Sequence, residues 1–319
     1  MFPDGEGIAI GEPSTRTGVV ISSALTDRVL SLRRPLARDT IAQVPNVRLN
    51  LASSPRNVLL VRQVLAGLAQ PLKLDRIELG DLVTSVSEAC NNIALHAYGG
   101  GEGPMDVEVW ASARDLCVVV RDHGRGMSAP PVGPRQRNPI GLYLIETLAN
   151  RVDYLDVPGG GTELRLSFAT AGIHRESAHG RDPLELCATS DGDPAQATRI
   201  AIVPCKFAQS VLPRVFAVLA TNADFSIDRV SDTQVLVDAL LPGVERSRTA
   251  HPLEVNVRSA SGSLELRIGP LRAGAGDALL RDSTAGELRA VIERLSSRDT
   301  CICEMPMRSA ISACVLSST

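Results

Sequence analysis

The chain is 319 residues long, enough for two ordinary domains with a core in each. Its 33 Lys and Arg stand against 36 Asp and Glu, a net charge of −3, and only 3% of its residues are aromatic. That balance excludes a basic phosphate-binding face and a base-stacking surface, and with them a nucleic-acid partner. No apolar run reaches the roughly 18 residues of a membrane span, and the first residues carry no signal-peptide pattern. A cytoplasmic protein without membrane contact is expected. Seven cysteines without CxxC spacing fit a reducing compartment. The one close pair, Cys301 and Cys303, has neither a His nor a second pair to complete a metal site.

Residues 1–44 read as an N-terminal arm, loose and rich in Gly, Pro, Ser and Thr up to Thr17, with a short helical stretch between Ala24 and Ala37. Val47 to Leu51 alternates and reads as a strand. Ser54-Pro55 supplies an N-cap followed by Pro at the first helical position. Val58 to Leu68 is apolar at helical spacing. Leu74 to Ala97 predicts a longer helix with Asp75 near its start. Met105 to Trp110 and Leu116 to Arg121 predict strands joined by a turn at Ala113-Arg-Asp115. A Gly/Pro/Arg loop runs from Asp122 to Pro139, and Ile140 to Val152 predicts a third helix. Tyr154 to Val157 and Glu163 to Phe168 form a hairpin around Gly159-Gly-Gly161. The order implies a mixed sheet with helices on one face, an α+β arrangement.

The polar stretch 171–197 reads as a linker. The same element order then returns. Arg199 to Val203 predicts a strand, Phe207 to Ala220 and Ile227 to Leu241 helices, and Leu253 to Val257 and Leu264 to Ile268 strands. Gly286 to Leu295 predicts a helix, and Thr300 to Glu304 and Ala310 to Leu316 predict strands. Leu74-Asp-Arg-Ile77 matches Ile227-Asp-Arg-Val230, and Val107-Glu-Val109 matches Val255-Asn-Val257. Element order and these two matches together indicate an internal repeat, with domains at 45–170 and 198–319.

Thr84, Glu88, Asn92 and His96 recur every four residues and form one polar stripe on the second helix. Such a stripe is most often a solvated face. This one combines a carboxylate, an amide and an imidazole with few long charged residues. Glu88 and Asn92 lie one turn apart and can reach one point. Their oxygens suit a hard cation such as Mg2+, and Glu88 suits equally a base toward an attacking hydroxyl. Downstream, a buried strand ends in Asp122-His-Gly124-Arg-Gly126-Met127. An Asp at a strand end can accept a hydrogen bond from the amino group of a flat ring, and the glycines admit close backbone approach; Asp-x-Gly also marks ordinary turns. Arg135-Gln-Arg137-Asn138-Pro139-Ile140-Gly141-Leu142 leads into a helix whose free N–H groups can cradle phosphate, or be simply capped. Gly159-Gly-Gly161-Thr162 is a turn into a core strand.

Order and spacing together make residues 47 to 169 resemble the GHKL ATPase domain, and within it the bacterial anti-sigma-factor serine/threonine kinases. Glu88-Ala-Cys-Asn-Asn92-Ile-Ala-Leu-His96-Ala-Tyr98 resembles the N box, Asp122 to Met127 the G1 box, Ile140-Gly141-Leu142 the G2 box, and Gly160-Gly161-Thr162 the closing Gly-Thr motif. The resemblance implies a two-layer α/β sandwich, the Bergerat or histidine-kinase-like ATPase fold, present twice with the second copy degenerate. It implies ATP with Mg2+ held by Asn92, and Glu88 as base toward a protein serine. Asp122 would take the adenine amino group with Thr162 in support. Gly124, Gly126, Met127, Gly141, Leu142 and Gly161 would line the nucleotide. Arg137 would lie near the γ-phosphate, and His96 would bind the nucleotide or be a structural hydrogen-bonding residue. It implies a STAS-type anti-anti-sigma protein as substrate and a sigma factor as partner. A non-catalytic ATP-binding regulator that sequesters a partner is the alternative. An ATPase module cut from a histidine kinase is a third reading, without a phosphoacceptor helix to support it.

Laid over the first half, the second half puts Leu241 near Glu88, Glu245 near Asn92, Pro270 near Asp122 and Arg272 near Gly124. Pro242 and Gly243 are expected to end the helix there. No nucleotide is expected in this half. It reads as a degenerate copy that serves as an intrachain pseudo-dimer partner, with a homodimer as the other assembly, or as an unrelated domain that binds a partner.

Overall fold

The computed structural model describes residues 45–111, 115–126, 139–170, 197–248, 252–275, 302–305 and 310–317, the last two stretches as backbone. The expected arm 1–44, the linker stretch 171–196, the helix Gly286 to Leu295 and the turn at Ala113 fall outside these residues.

Strand β1 (Val47–Ala52) sends Val47, Leu49 and Leu51 into the core, leaving Arg48 and Asn50 half-buried on its other face. Helix α1 (Pro55–Leu68) starts at Ser54 with Pro in its first turn, although the Ser54 hydroxyl makes no capping bond. Helix α2 (Arg76–Asn92) opens on a full capping box. Asp75 accepts from the backbone N–H groups of Ile77 and Glu78 at 2.7 and 2.8 Å, and the Glu78 carboxylate accepts from the Asp75 N–H at 2.8 Å. The helix expected to reach Ala97 stays α-helical only to Asn92 and finishes as a π turn, Ile93–Ala97. Strands β2 (Pro104–Ala111) and β3 (Asp115–Asp122) follow.

Helix α3 (Pro139–Leu148) stops short of the expected Val152. Asn150 is the cause: its N–H donates to the Ser167 carbonyl at 2.9 Å, and its side-chain oxygen accepts from the Ala169 N–H at 2.6 Å. The chain is captured by β5 (Thr162–Ala169), so β4 (Arg151–Asp156) begins at once.

The second half runs β6 (Ala197–Ile202), α4 (Ala208–Asn222), α5 (Ile227–Ser247), β7 (Leu253–Ala260), β8 (Ser263–Gly269), β9 (Ile302–Met305) and β10 (Ala310–Ser317). The expected stop at Pro242 and Gly243 does not occur, because α5 continues to Ser247. Pro removes one N–H donor, but Leu240, Leu241, Gly243 and Val244 are all buried, and that apolar stripe holds the helix against the core.

The ten strands form one sheet, β4-β5-β3-β2-β1-β6-β7-β8-β10-β9, and every neighbouring pair is antiparallel. The expected mixed sheet is thereby corrected. Two helices, not one, separate β1 from β2 and β6 from β7, and a pair of helices reverses the chain where a single crossover helix would restore a parallel strand. Read outward from the β1–β6 seam, the strand order is 1-2-3-5-4 on one side and 6-7-8-10-9 on the other. At the seam Val47 lies opposite Ile202 and Leu49 opposite Ile200. Above it α1 packs on α4. A Cβ at Gly67 would stand 2.7 Å from the Ser210 carbonyl oxygen, so the helices touch backbone to backbone. One apolar core runs under both halves.

The polar face of the sheet is a lattice of charge. Asn50, Asp106, Arg121 and Glu163 lie side by side on four adjacent strands, as do Arg48, Glu108, Val119 and Arg165. Arg48 pairs with Glu108 at 3.0 Å, and Glu163 is held between Arg121 and Arg165. Opposite charges at cross-strand positions stabilise this register.

Candidate functional site

Helix α2 buries Leu82, Ser85, Val86, Ala89 and Cys90. That choice of face leaves Glu88 and Asn92 half-buried beside it. Helix α3 packs along α2, with Gly141 buried and Leu142 half-buried in its first turn. His96 lies half-buried in the π turn. Widening the helix there changes which carbonyls are free. The Ala97 carbonyl accepts from the Arg125 N–H at 3.1 Å, which ties the end of the polar-stripe helix to the loop after β3. Gly124 makes the approach feasible: a Cβ there would lie 2.8 Å from the Ala97 carbonyl carbon.

Asp122 closes β3 and is only 3% exposed. One carboxylate oxygen accepts from the Gly124 N–H at 2.8 Å and the other from the Thr162 N–H at 3.2 Å. Burial pushes this carboxyl above the usual aspartate range, and the bonds from Gly124 and Thr162 and the nearby His123 offset part of that rise. Each oxygen thus has a fixed backbone donor, and the Thr162 side chain adds a further bond to the carboxylate. Gly161, at φ +100°, holds the turn against β3, where a Cβ would come within 2.8 Å of the His123 Cα. Gly126, at φ +76°, sits so that its Cβ would lie 3.2 Å from the Gly161 carbonyl oxygen.

Asp122, Gly124, Gly126, Gly161 and Thr162 thus converge, and Ala97 joins them to the helix of Glu88 and Asn92. Met127 and Arg137 lie outside the described residues. Tyr98 received no role from the sequence, yet its hydroxyl accepts from the His123 N–H at 2.9 Å and donates to the Pro104 carbonyl. The available signal was an aromatic hydroxyl set between a helix end and a Gly-rich turn. His123 also lacked a role; its Nε2 lies 3.1 Å from Asp106, whose other oxygen accepts from Asn50 at 2.7 Å.

A buried carboxylate fixed by backbone donors, glycines pressed against backbone and a half-buried carboxylate–amide pair on the adjoining helix suit a flat ring bearing an amino group and a polyanion with its cation. The family model of the histidine kinase-like ATPase domain matches residues 51–168. The anti-sigma F factor of Thermoanaerobacter sp. (strain X514) is 27% identical over 130 residues, 38% of this chain and 91% of that protein. The anti-sigma F factor of Caldanaerobacter subterraneus subsp. tengcongensis is 26% identical over 130 residues, 38% of this chain and 91% of its own. The serine-protein kinase RsbW of Bacillus cereus (strain AH820) is 26% identical over 126 residues, 35% of this chain and 79% of that protein.

Proposed function

Residues 51–168 are a histidine kinase-like ATPase domain, and on that premise we propose that the chain is an ATP-dependent protein serine/threonine kinase. Its substrate is a serine of a STAS-type anti-anti-sigma protein, and its output is control of a sigma factor by partner switching. The observation that carries the reading is the Asp122 carboxylate, buried, held by two backbone N–H groups and joined through Ala97 to the helix of Glu88 and Asn92. ATP, when bound, supplies the phosphoryl group. Asp122 orients the adenine amino group, with Thr162 in support. Gly124, Gly126, Gly141, Leu142 and Gly161 line the nucleotide, together with Met127 and with His96 near the helix end. Asn92 would offer an amide oxygen to Mg2+, a hard cation that would neutralise phosphate charge. Glu88 removes the proton of the acceptor serine, and Arg137 steadies the transferred group.

The test is transfer from labelled ATP to a candidate STAS protein. Wild type labels the serine and Glu88→Ala loses at least about a hundredfold, the usual worth of a general base; equal labelling by the two chains refutes the kinase. A second reading is ATP-dependent sequestration of a sigma factor or another partner without transfer; the relatives named anti-sigma F factor suit it as well as they suit the kinase. In that case Glu88→Ala binds its partner as wild type does, and no label moves in either chain.

We infer further that residues 198–319 are a second copy of the scaffold without the chemistry, a built-in partner in place of a second chain. The repeated strand order across the seam supports this. The helix starts alter the residue correspondence: counted from the caps Asp75 and Ser226, Ala239 takes the place of Glu88 and Gly243 that of Asn92, two residues before the Leu241 and Glu245 suggested by local similarity. Pro270 follows β8 where Asp122 ends β3. Neither a carboxylate nor an amide remains. No helix among the described residues is long and apolar enough to cross a membrane, and we assign the protein to the cytoplasm with its proposed partners.

A further inference from the structure

Strands β2 and β3 pair regularly up to Met105 opposite Asp122. The next rung would set Pro104 against His123. That rung is not closed by backbone. The Tyr98 hydroxyl stands in it, accepting from the His123 N–H at 2.9 Å and donating to the Pro104 carbonyl at 2.5 Å. A phenol oxygen bridges the two strands there, at the residue after the buried carboxylate.

The tyrosine is held firmly in that place. It caps the π turn, so the helix end fixes its backbone. Its ring lies over Gly103, where any Cβ would collide with ring carbons. Burial pushes its phenol above the usual range, the His123 N–H works the other way, and Asp122 and Asp106 add to the rise; the group stays a protonated donor at neutral pH. The His123 side chain is anchored on Asp106 at 3.1 Å, so the residue following Asp122 is gripped at backbone and ring.

We propose that Tyr98 is a positioning residue for nucleobase recognition: its hydroxyl, set in the open rung, aims the Asp122 carboxylate at the exocyclic amino group of the base. The proposal rests on the ATP reading above. It concerns the base, because the Tyr98 hydroxyl bonds to Pro104 at the start of β2 and to His123, the residue after Asp122. Removing the hydroxyl takes their shared partner from the His123 N–H and the Pro104 carbonyl, or lets Pro104 and His123 close on each other. Either response re-aims Asp122 and leaves the phosphate end alone.

The experiment measures dissociation constants of ATP and of inosine triphosphate, which carries an oxygen where ATP has its amino group. Full-length wild type, Tyr98→Phe and Asp122→Asn are compared by competition against a fluorescent nucleotide. Wild type is expected to prefer ATP, and Asp122→Asn to lose that preference. Tyr98→Phe is expected to bind ATP about five- to tenfold more weakly, the worth of one hydrogen bond, with inosine triphosphate within about twofold of wild type. Unchanged inosine triphosphate binding also shows that the variant is folded. A Tyr98→Phe chain with the wild-type ratio overturns the proposal and leaves the ATP reading intact. Equal loss of both nucleotides overturns it in favour of a merely structural tyrosine. A wild type that binds neither nucleotide overturns the ATP reading and this proposal together.

Discussion

Asp122, the carboxylate proposed to recognise the base, and Glu163, a partner of two arginines, sit in opposite environments. Burial raises Asp122, and its hydrogen-bond partners, the Gly124 and Thr162 N–H groups and the Thr162 side chain, are all neutral. Burial alone would raise Glu163 too, but hydrogen bonds and charge from Arg121 and Arg165 outweigh it and hold this carboxyl below the usual glutamate range. A folded-state value below the unfolded one means that the contribution is fully present above the ordinary glutamate range of about 4.3 and is lost as pH falls through the lowered folded value. Glu163→Gln should therefore destabilise the chain by about 1–3 kcal/mol at pH 7, the usual worth of a broken charged hydrogen bond. Urea melts of both chains from pH 7 to pH 3 should show the gap closing on the acid side; a gap that stays constant would remove Glu163 from the acid response.

At the level of elements, the contact of α1 with α4 rests on the missing side chain of Gly67. Its Cβ would stand 2.7 Å from the Ser210 carbonyl oxygen and 2.9 Å from the Val211 Cα, both backbone atoms of a packed helix. Gly67→Val should push the helices apart and cost about 1–3 kcal/mol, the range for overpacking a tight core. Both halves share one core, so the expected result is a single cooperative transition moved to lower denaturant. Two separate transitions would instead show that the halves unfold independently. The helix ends were the least legible part of the sequence. Pro242 looked like a stop and is carried through by buried neighbours, whereas α3 looked longer and is cut by Asn150 bonding to β5. Local propensity decides a helix end only where tertiary contacts are weak, and here they are strong on both sides.

Across the whole molecule, the two halves repeat one strand order about the β1–β6 seam, with Ala239 and Gly243 where the first half has Glu88 and Asn92. One nucleotide per chain is expected. Isothermal titration of ATP into the full chain should give a stoichiometry near one, and Asp122→Ala should abolish all of it; a stoichiometry of two would place chemistry in the second half. The sequence by itself determined the motifs proposed to hold ATP, their order, and the order of the described strands and helices. Motif chemistry depends on residue type and short spacing, and amphipathic periodicity depends on which side chains avoid water. The tertiary structure alone decided the rest. It replaced a mixed sheet with an antiparallel one, set β6 against β1, opened α2 into a π turn so that Ala97 meets Arg125, and brought the Tyr98 hydroxyl between Pro104 and His123. These are contacts between residues far apart in the chain or between backbone groups, and backbone groups are the same at every position; no pattern of side chains along a single strand or helix encodes them.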